Sequence, residues 1–274
     1  MITIHHLNCG TMCPFGGRFI DGFSRGLTAK LVCHCLLIET KAGLVLIDTG
    51  FGLQDIRNAH HRLGRIFLKL IGIQLQEEQT ALRQIEKLGF KRQDVRHIIL
   101  THLDFDHAGG ITDFPEAQVH VLGSELEAAR HPHNFLARQR YRSQQWSSEK
   151  NWVTYALDGE KWFGFESVRD LKSLPPEILL VPLAGHTRGH TGVAVRAEDG
   201  WLLHAGDAYF FRGEMDPEKY HCTLGLRLFQ RIMEVDRKVR LENQERLRQL
   251  NRDHHQEVQI FSAHDAIELE KFRP

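Results

Sequence analysis

THLDFDHAGG, residues 101–110, decides how this chain is read. Positions 102 to 107 hold two histidines and two aspartates, straight after the apolar run Ile98-Ile99-Leu100. Histidine and aspartate are common in turns, and Gly109-Gly110 marks a loop, but a turn needs only one or two such residues. Four of them at H-x-D-x-D-H spacing need another reason, and imidazole with carboxylate is the donor set of a transition-metal site.

The same arrangement recurs further along. His186 follows EILLVPLAG, Asp207 follows WLLHAG, His264 follows VQIFSA and Asp48 follows LVLI. Strand ends deliver loops to one edge of a sheet, where sites are commonly built, so distant side chains can converge there. Strands are predicted at 2–7, 31–40, 43–50, 97–102, 118–123, 177–183, 191–197, 201–207 and 258–265. Helices are predicted from Glu77 to Leu88, stopped by Gly89; from Ser124, with Glu127 closing a capping box; and as one long element from Leu226 to Leu250. Its many Arg and Glu residues read as a solvated face.

This mixture implies a sheet core covered by helices, in one domain over 1–274 with insertions at 54–76 and 131–165. The apolar stretch 62–75 reads as a core helix, a homodimer surface or a lid over a site. The aromatics of 131–165, among them Trp146, Trp152 and Trp162, read as a satellite core before a pocket lining.

The bulk numbers narrow the partners. The chain has 274 residues, 42% hydrophobic and 26% charged, with 35 basic and 35 acidic side chains. Zero net charge argues against nucleic acid, which demands a basic surface, and leaves a small-molecule substrate. No run approaches membrane-spanning length, so no membrane partner is expected. The start Met1-Ile2-Thr3-Ile4 lacks the pattern of a secretory leader, and five cysteines leave one unpaired, so a reducing, cytoplasmic setting is expected. Cys33-His34-Cys35 sits in an alternating strand pattern and reads as buried thiols. Eighteen histidines are the anomaly.

LIDTG (46–50), THLDFDHAGG, GHTRGH (185–190), HAGD (204–207) and SAHD (262–265) resemble, in order and spacing, the metallo-β-lactamase superfamily. CHCLLIET with LVLIDTGFG, and the late His264-Asp265, resemble its N-acyl homoserine lactonase branch. The resemblance implies an α/β fold, the four-layer αββα sandwich, with a metal site at one edge of the sheets. It implies that His102, Asp104 and His186 hold one divalent ion, that Asp106, His107 and His264 hold another, and that Asp207 bridges them. Asp48 resembles the family's buried aspartate beneath the site, and His190 and His204 read as structural. Zinc is expected first. Most of the family has histidine where this chain has Asp104, and a carboxylate there admits manganese or iron.

The implied activity is metal-dependent hydrolysis, in which a hydroxide bridging the metals opens a lactone or cleaves a related ester. Asp106 would orient the nucleophile and carry its proton to the leaving group. Tyr209 is a candidate oxyanion donor, although its offset from Asp207 differs by one from the family's tyrosine, with Phe210 in the matching slot. A phosphoester or thioester hydrolase uses the same donors, and Asp104 keeps an iron-dependent redox enzyme as a further reading.

Overall fold

The computed structural model describes residues 2–272. One sheet is formed by β1 (Thr3–Met12), β2 (Leu31–Thr40), β3 (Gly43–Ile47), β4 (Ile73–Gln74), β5 (Val95–Ile99), β6 (Gln118–Leu122) and β7 (Trp152–Tyr155), in the order β4-β1-β2-β3-β5-β6-β7. The other is formed by β8 (Glu160–Trp162), β9 (Phe165–Asp170), β10 (Ile178–Pro182), β11 (Thr191–Ala197), β12 (Gly200–His204) and β13 (Val258–Phe261), in the order β13-β12-β11-β10-β9-β8.

Side-chain alternation explains the layering, because successive residues of a strand point to opposite faces. In β2, Leu36 and Ile38 turn toward the second sheet, where they join Val45, Ile47, Ile178, Leu180 and Val193 in one buried cluster. Cys35 and Leu37 turn the other way, onto Leu82 and Ile85 of the helix Ala81–Lys87 and Leu126 of the helix Gly123–Arg130. The outer face of the second sheet, with Leu179, Val181 and Leu203, is covered by Leu247 and Leu250 of the helix Arg237–His254. Both faces of each sheet are therefore apolar, and each such buried side chain contributes about 1.5–3 kcal/mol. The result is the expected αββα sandwich.

All nine predicted strands are present, but β4, β7, β8 and β9 were missed. β4, β7 and β8 are at most four residues long and lie at sheet edges, too short for a pattern to show, and among the described residues β9 pairs with β10 only through Leu179 with Asp170 and Leu180 with Arg169. Three helix expectations are corrected. The segment 77–88 is a 3₁₀ turn, Glu77–Gln79, followed by the helix Ala81–Lys87 with Thr80 as its cap. The segment 226–250 is two helices, Leu224–Met233 and Arg237–His254. They are interrupted where the backbone N–H groups of Val235 and Asp236 turn to the carbonyl of Gly185, and Asp236 caps the second helix through Val239 N–H. The helix at 123–130 starts at Gly123 with no side-chain cap. Glu127 lies exposed beside His131 rather than closing a box.

The aromatics of 131–165 do not form a satellite core of their own but extend the two main ones. Trp146 joins the cluster on the outside of the first sheet, and Trp162 and Phe165 that of the second. Cys33 and Cys35 are buried in β2, and all five cysteines are free thiols. No helix among the described residues is long and apolar enough to cross a membrane.

Candidate metal centre

The strand ends converge as their positions in sequence suggested. β3 and β5 run parallel, and so do β12 and β13, so the loops that leave them emerge at one edge of the sandwich. Backbone bonds lock these loops together: Asp48 N–H to Ile99 O, Thr49 N–H to His107 O, Thr191 N–H to Thr101 O, and Val32 N–H to His264 O. The last two join loops of one sheet to the other.

Two buried groups of donors result. His102, Asp104, His186 and Asp207 form one; Asp106, His107 and His264 form the other. Asp207 faces both. Its Oδ1 is 3.2 Å from His107 Nε2 and 3.0 Å from His264 Nε2. Its Oδ2 is 3.3 Å from His186 Nε2 and 3.7 Å from His102 Nε2. Every one of the seven residues assigned from sequence lies in this cluster, and all are almost fully buried.

The imidazoles are held with one nitrogen aimed inward. His107 Nδ1–H donates to Asp48 Oδ2 at 2.8 Å. His264 Nδ1–H donates to the carbonyl of Val32 at 2.7 Å. His102 Nδ1 lies 2.9 Å from Thr101 Oγ1, which itself donates to Asp48 Oδ2. Each bond fixes the tautomer and leaves the Nε2 lone pair facing the cluster, the arrangement metal-binding histidines use. Asp48 adopts φ 53°, a left-handed conformation that a short polar side chain tolerates. Burial opposes its charge, but the adjoining His107 outweighs it and holds the carboxyl below its ordinary value.

The remaining histidines have other tasks. His190 donates from Nδ1 to Leu183 O and accepts the N–H of Asp207 at Nε2, so it positions the shared aspartate. His204 donates to the carbonyl of His34 and accepts from Gly206 N–H. Tyr209 requires a correction. It is fully buried in the core outside the second sheet, and its hydroxyl donates to Glu268 at 3.0 Å. Phe210, its neighbour, lines the cavity at the cluster instead. The one-residue offset noted in the sequence has this consequence.

Two contributors escaped the sequence reading. Glu125 accepts from the N–H groups of Leu103 and Gly189 and so ties the loops that carry Asp104 and His186. Arg140 ends the helix Phe135–Arg140 and forms a fork on Asp104, with Nε 2.6 Å from Oδ1 and Nη2 2.5 Å from Oδ2. Burial would raise the Asp104 carboxyl, but the guanidinium holds it well below the usual range. His186 is pushed down to about 4 by burial and then by Arg140. No signal distinguishes Arg140 in the sequence, where it sits among other basic residues of a short helix.

Donor chemistry supports metal binding. The buried Nε2 of His102 has no hydrogen-bond partner, and an orphaned buried acceptor demands an explanation such as a missing ion. Donors on one ion at about 2.1 Å stand roughly 3.4 Å apart when tetrahedral. In the group of His107 and His264, the spacings are 3.0, 3.2 and 3.4 Å among His107 Nε2, His264 Nε2 and Asp207 Oδ1. Asp106 stands 3.6 Å from His264.

A cavity of about 290 Å³ opens beside the cluster. Asp104, Asp106, His186, Asp207 and His264 form its floor. Its walls are apolar: Met12, Leu31, Phe67, Ile71, Phe210 and Phe229 among others. The stretch 62–75 thus contributes a wall of the site, through the helix Arg65–Ile71.

Fold and donor set together define a metallo-hydrolase. The model of the metallo-beta-lactamase superfamily matches residues 29–253, and the chain belongs to that superfamily. A "probable metallo-hydrolase" of Mycobacterium tuberculosis is 43% identical over 264 residues, covering 96% of this chain and 80% of the relative. An N-acyl homoserine lactonase of Bacillus cereus is 27% identical over 215 residues, 77% of this chain and 78% of that protein. Among solved structures, an N-acyl homoserine lactone hydrolase with N-hexanoyl-L-homoserine bound at its catalytic metal centre has a TM-score of 0.72. It is 22% identical, and the match covers 98% of this chain and 96% of that one.

Proposed function

We propose that the chain hydrolyses a lactone bearing an apolar acyl chain, or a closely related ester. The observation that carries the reading is the pairing of an imidazole-carboxylate floor with apolar walls in one cavity. The similarity to N-acyl homoserine lactonases supports it.

Asp106, His107 and His264, with Oδ1 of Asp207, would hold a divalent cation: zinc first, manganese or iron as the alternatives that a carboxylate-rich set admits. The other group, His102, Asp104, His186 and Oδ2 of Asp207, offers the same donor types but shares two of them with Arg140. A cation so bound supplies Lewis acidity and lowers the pKa of water.

The chain's own residues do the rest. The apolar walls accept an acyl chain and exclude water from around it, which strengthens electrostatic interactions on the floor. Asp106 lines the cavity with a carboxylate free of any salt bridge to Lys or Arg among the described residues. It is suited to take the proton of the attacking water and return it to the alkoxide as the ring opens. Asp48 keeps His107 oriented, and His190 does the same for Asp207. Phosphoesters fit this cavity less well. No Lys or Arg among the described residues lines it to meet the phosphoryl oxygens.

The test is a chain-length series of N-acyl homoserine lactones, followed by acid release from metal-loaded protein. We expect turnover that falls by about 10³-fold or more in Asp207→Ala, as loss of a shared charged group in a preorganised site implies. Hydrolysis of aryl phosphodiesters without any of lactones would overturn the proposal.

A further inference from the structure

The two donor groups are not equivalent. The difference lies in Arg140, whose side chain is 2% exposed. Its guanidinium occupies Asp104 with both arms, and Nη2 also lies 2.6 Å from His186 Nε2. Nη1 donates to the carbonyl of Met233 at 2.6 Å and approaches that of His186 at 3.3 Å, which pins the group from behind.

The consequence follows from donor and acceptor counts. Guanidinium carries only N–H donors and keeps its charge at any pH the protein survives. A neutral imidazole has one lone pair, and here the lone pair of His186 Nε2 meets an Arg140 N–H. That lone pair cannot also bind a cation. Both oxygens of Asp104 are engaged in the fork that matches guanidinium geometry best. A divalent ion entering this group must approach the same two atoms to about 2.1 Å, against a fixed positive charge already 2.5–2.6 Å from them.

The other group meets no such rival. No Arg or Lys among the described residues bonds to Asp106, His107 or His264.

We propose that Arg140 stands in for the ion at the His102–Asp104–His186 position. The chain then holds one divalent cation tightly, at the Asp106–His107–His264 position. The inference rests on the metal-centre reading above and refines it. Asp104 fits the same logic, because its carboxylate forms the ionic fork with Arg140 that the family's usual histidine could not.

The displaced position remains ready to bind. His102 Nε2 stands 3.3 Å from Asp104 Oδ2, and His186 Nε2 is 3.1 Å from the same oxygen and 3.3 Å from Asp207 Oδ2. These are spacings of ligands around a single ion. Taking Arg140 away should therefore create a site rather than merely a cavity. The buried Asp104 would be left uncompensated, a strongly destabilising state that an incoming cation relieves.

The experiment is a count of metal. Protein is loaded with excess Mn²⁺, freed of unbound ion by gel filtration, and assayed for manganese per chain by mass spectrometry. The parent should retain about one ion and Arg140→Met about two, as the number of uncontested donor sets implies. Electron paramagnetic resonance gives a second readout: the hyperfine pattern of an isolated ion for the parent, and the broadened signal of a coupled pair for the variant. Added Mn²⁺ should also raise the Tm of Arg140→Met more than that of the parent.

Two ions retained by the parent, with a coupled signal, would overturn the role of Arg140 while leaving the metal-centre reading intact. No ion retained by either protein would remove both. The parent measurement stands alone if Arg140→Met fails to fold.

Discussion

The floor and the walls of the cavity are made in different ways. The floor hangs from strand ends whose backbones are cross-bonded between the two sheets, and His102, His107 and His264 each have the outer nitrogen tied to a named acceptor. Most of the walls come from segments between strands, with Met12 and Leu31 added from the ends of β1 and β2. Those segments include the helix Arg65–Ile71, the run around Phe210 and the helix Leu224–Met233, and they meet through apolar contact. The Phe67 and Phe105 rings cross edge to face at 4.5 Å, and the Phe210 and Phe229 rings at 5.3 Å. Directional bonds fix the floor atom by atom, whereas non-directional packing fixes the walls only in shape and volume. Chemistry should be intolerant of change in the first and substrate range tolerant of change in the second.

The sharpest way to break this contrast is beneath the floor. Asp48 touches no substrate space, yet it accepts from His107, from Thr101 Oγ1 and from Thr101 N–H. Asp48→Asn keeps the shape and removes the charge that holds His107 in its tautomer. Metal affinity, read by competition with a chromogenic chelator, should fall about 10–100-fold, the usual cost of losing a partner behind a ligating histidine. Unchanged affinity would mean that the floor does not depend on its buried supports.

A smaller effect is expected in the walls. Phe229→Ala removes one side of the apolar cavity and leaves every floor bond in place. For substrates with long acyl chains, kcat/KM should drop about tenfold, because each buried methylene is worth about 0.8 kcal/mol. Short-chain substrates should change about twofold at most, and metal content should stay constant. A uniform loss across chain lengths would show that wall and floor are coupled.

The contrast also explains what could be read from the sequence. His102, Asp104, Asp106, His107, His186, Asp207 and His264 were legible because floor residues follow apolar runs, and short continuous runs of that kind mark strands buried on both faces. The strands that carry them were legible for the same reason. Arg140 was not, because its role depends on a helix returning over the sheet edge, a placement set by tertiary packing. Glu125 was missed for a related reason: the pattern Ser124 to Glu127 suggested local capping, while the carboxylate that matters bonds loops 22 and 64 residues away. The break between Leu224–Met233 and Arg237–His254 was hidden as well, since the apolar period continues across it while the backbone N–H groups leave for Gly185. Tyr209 failed by a single position. Counting from Asp207 does not reveal which of two adjacent aromatics faces the cavity.

The smallest predicted effect lies where Tyr209 does point. Glu268 is a buried carboxyl that accepts from Tyr209 Oη and Ser262 N–H. Burial, and then the nearby Asp265, push it up to about 8 from an ordinary 4.5. Between those values the folded chain keeps a proton that the unfolded chain releases, so folding stability falls as pH rises through this window. Glu268→Gln imitates the protonated form at every pH and removes that slope. Relative to the parent, the variant should gain on the order of 3–4 kcal/mol in denaturant stability from about pH 5 to about pH 8. Activity should follow only to the extent that Ser262, which donates its hydroxyl to the Tyr209 carbonyl and accepts the N–H of His264, keeps that ligand in place. A variant that instead tracks the parent at every pH would mean that the carboxyl is ionised in the fold, with Tyr209 and Ser262 donating to a charge. A charge would then stand behind Ser262 and the backbone of His264, while the ring of that ligand stays bonded to the Val32 carbonyl rather than to a carboxylate as His107 is.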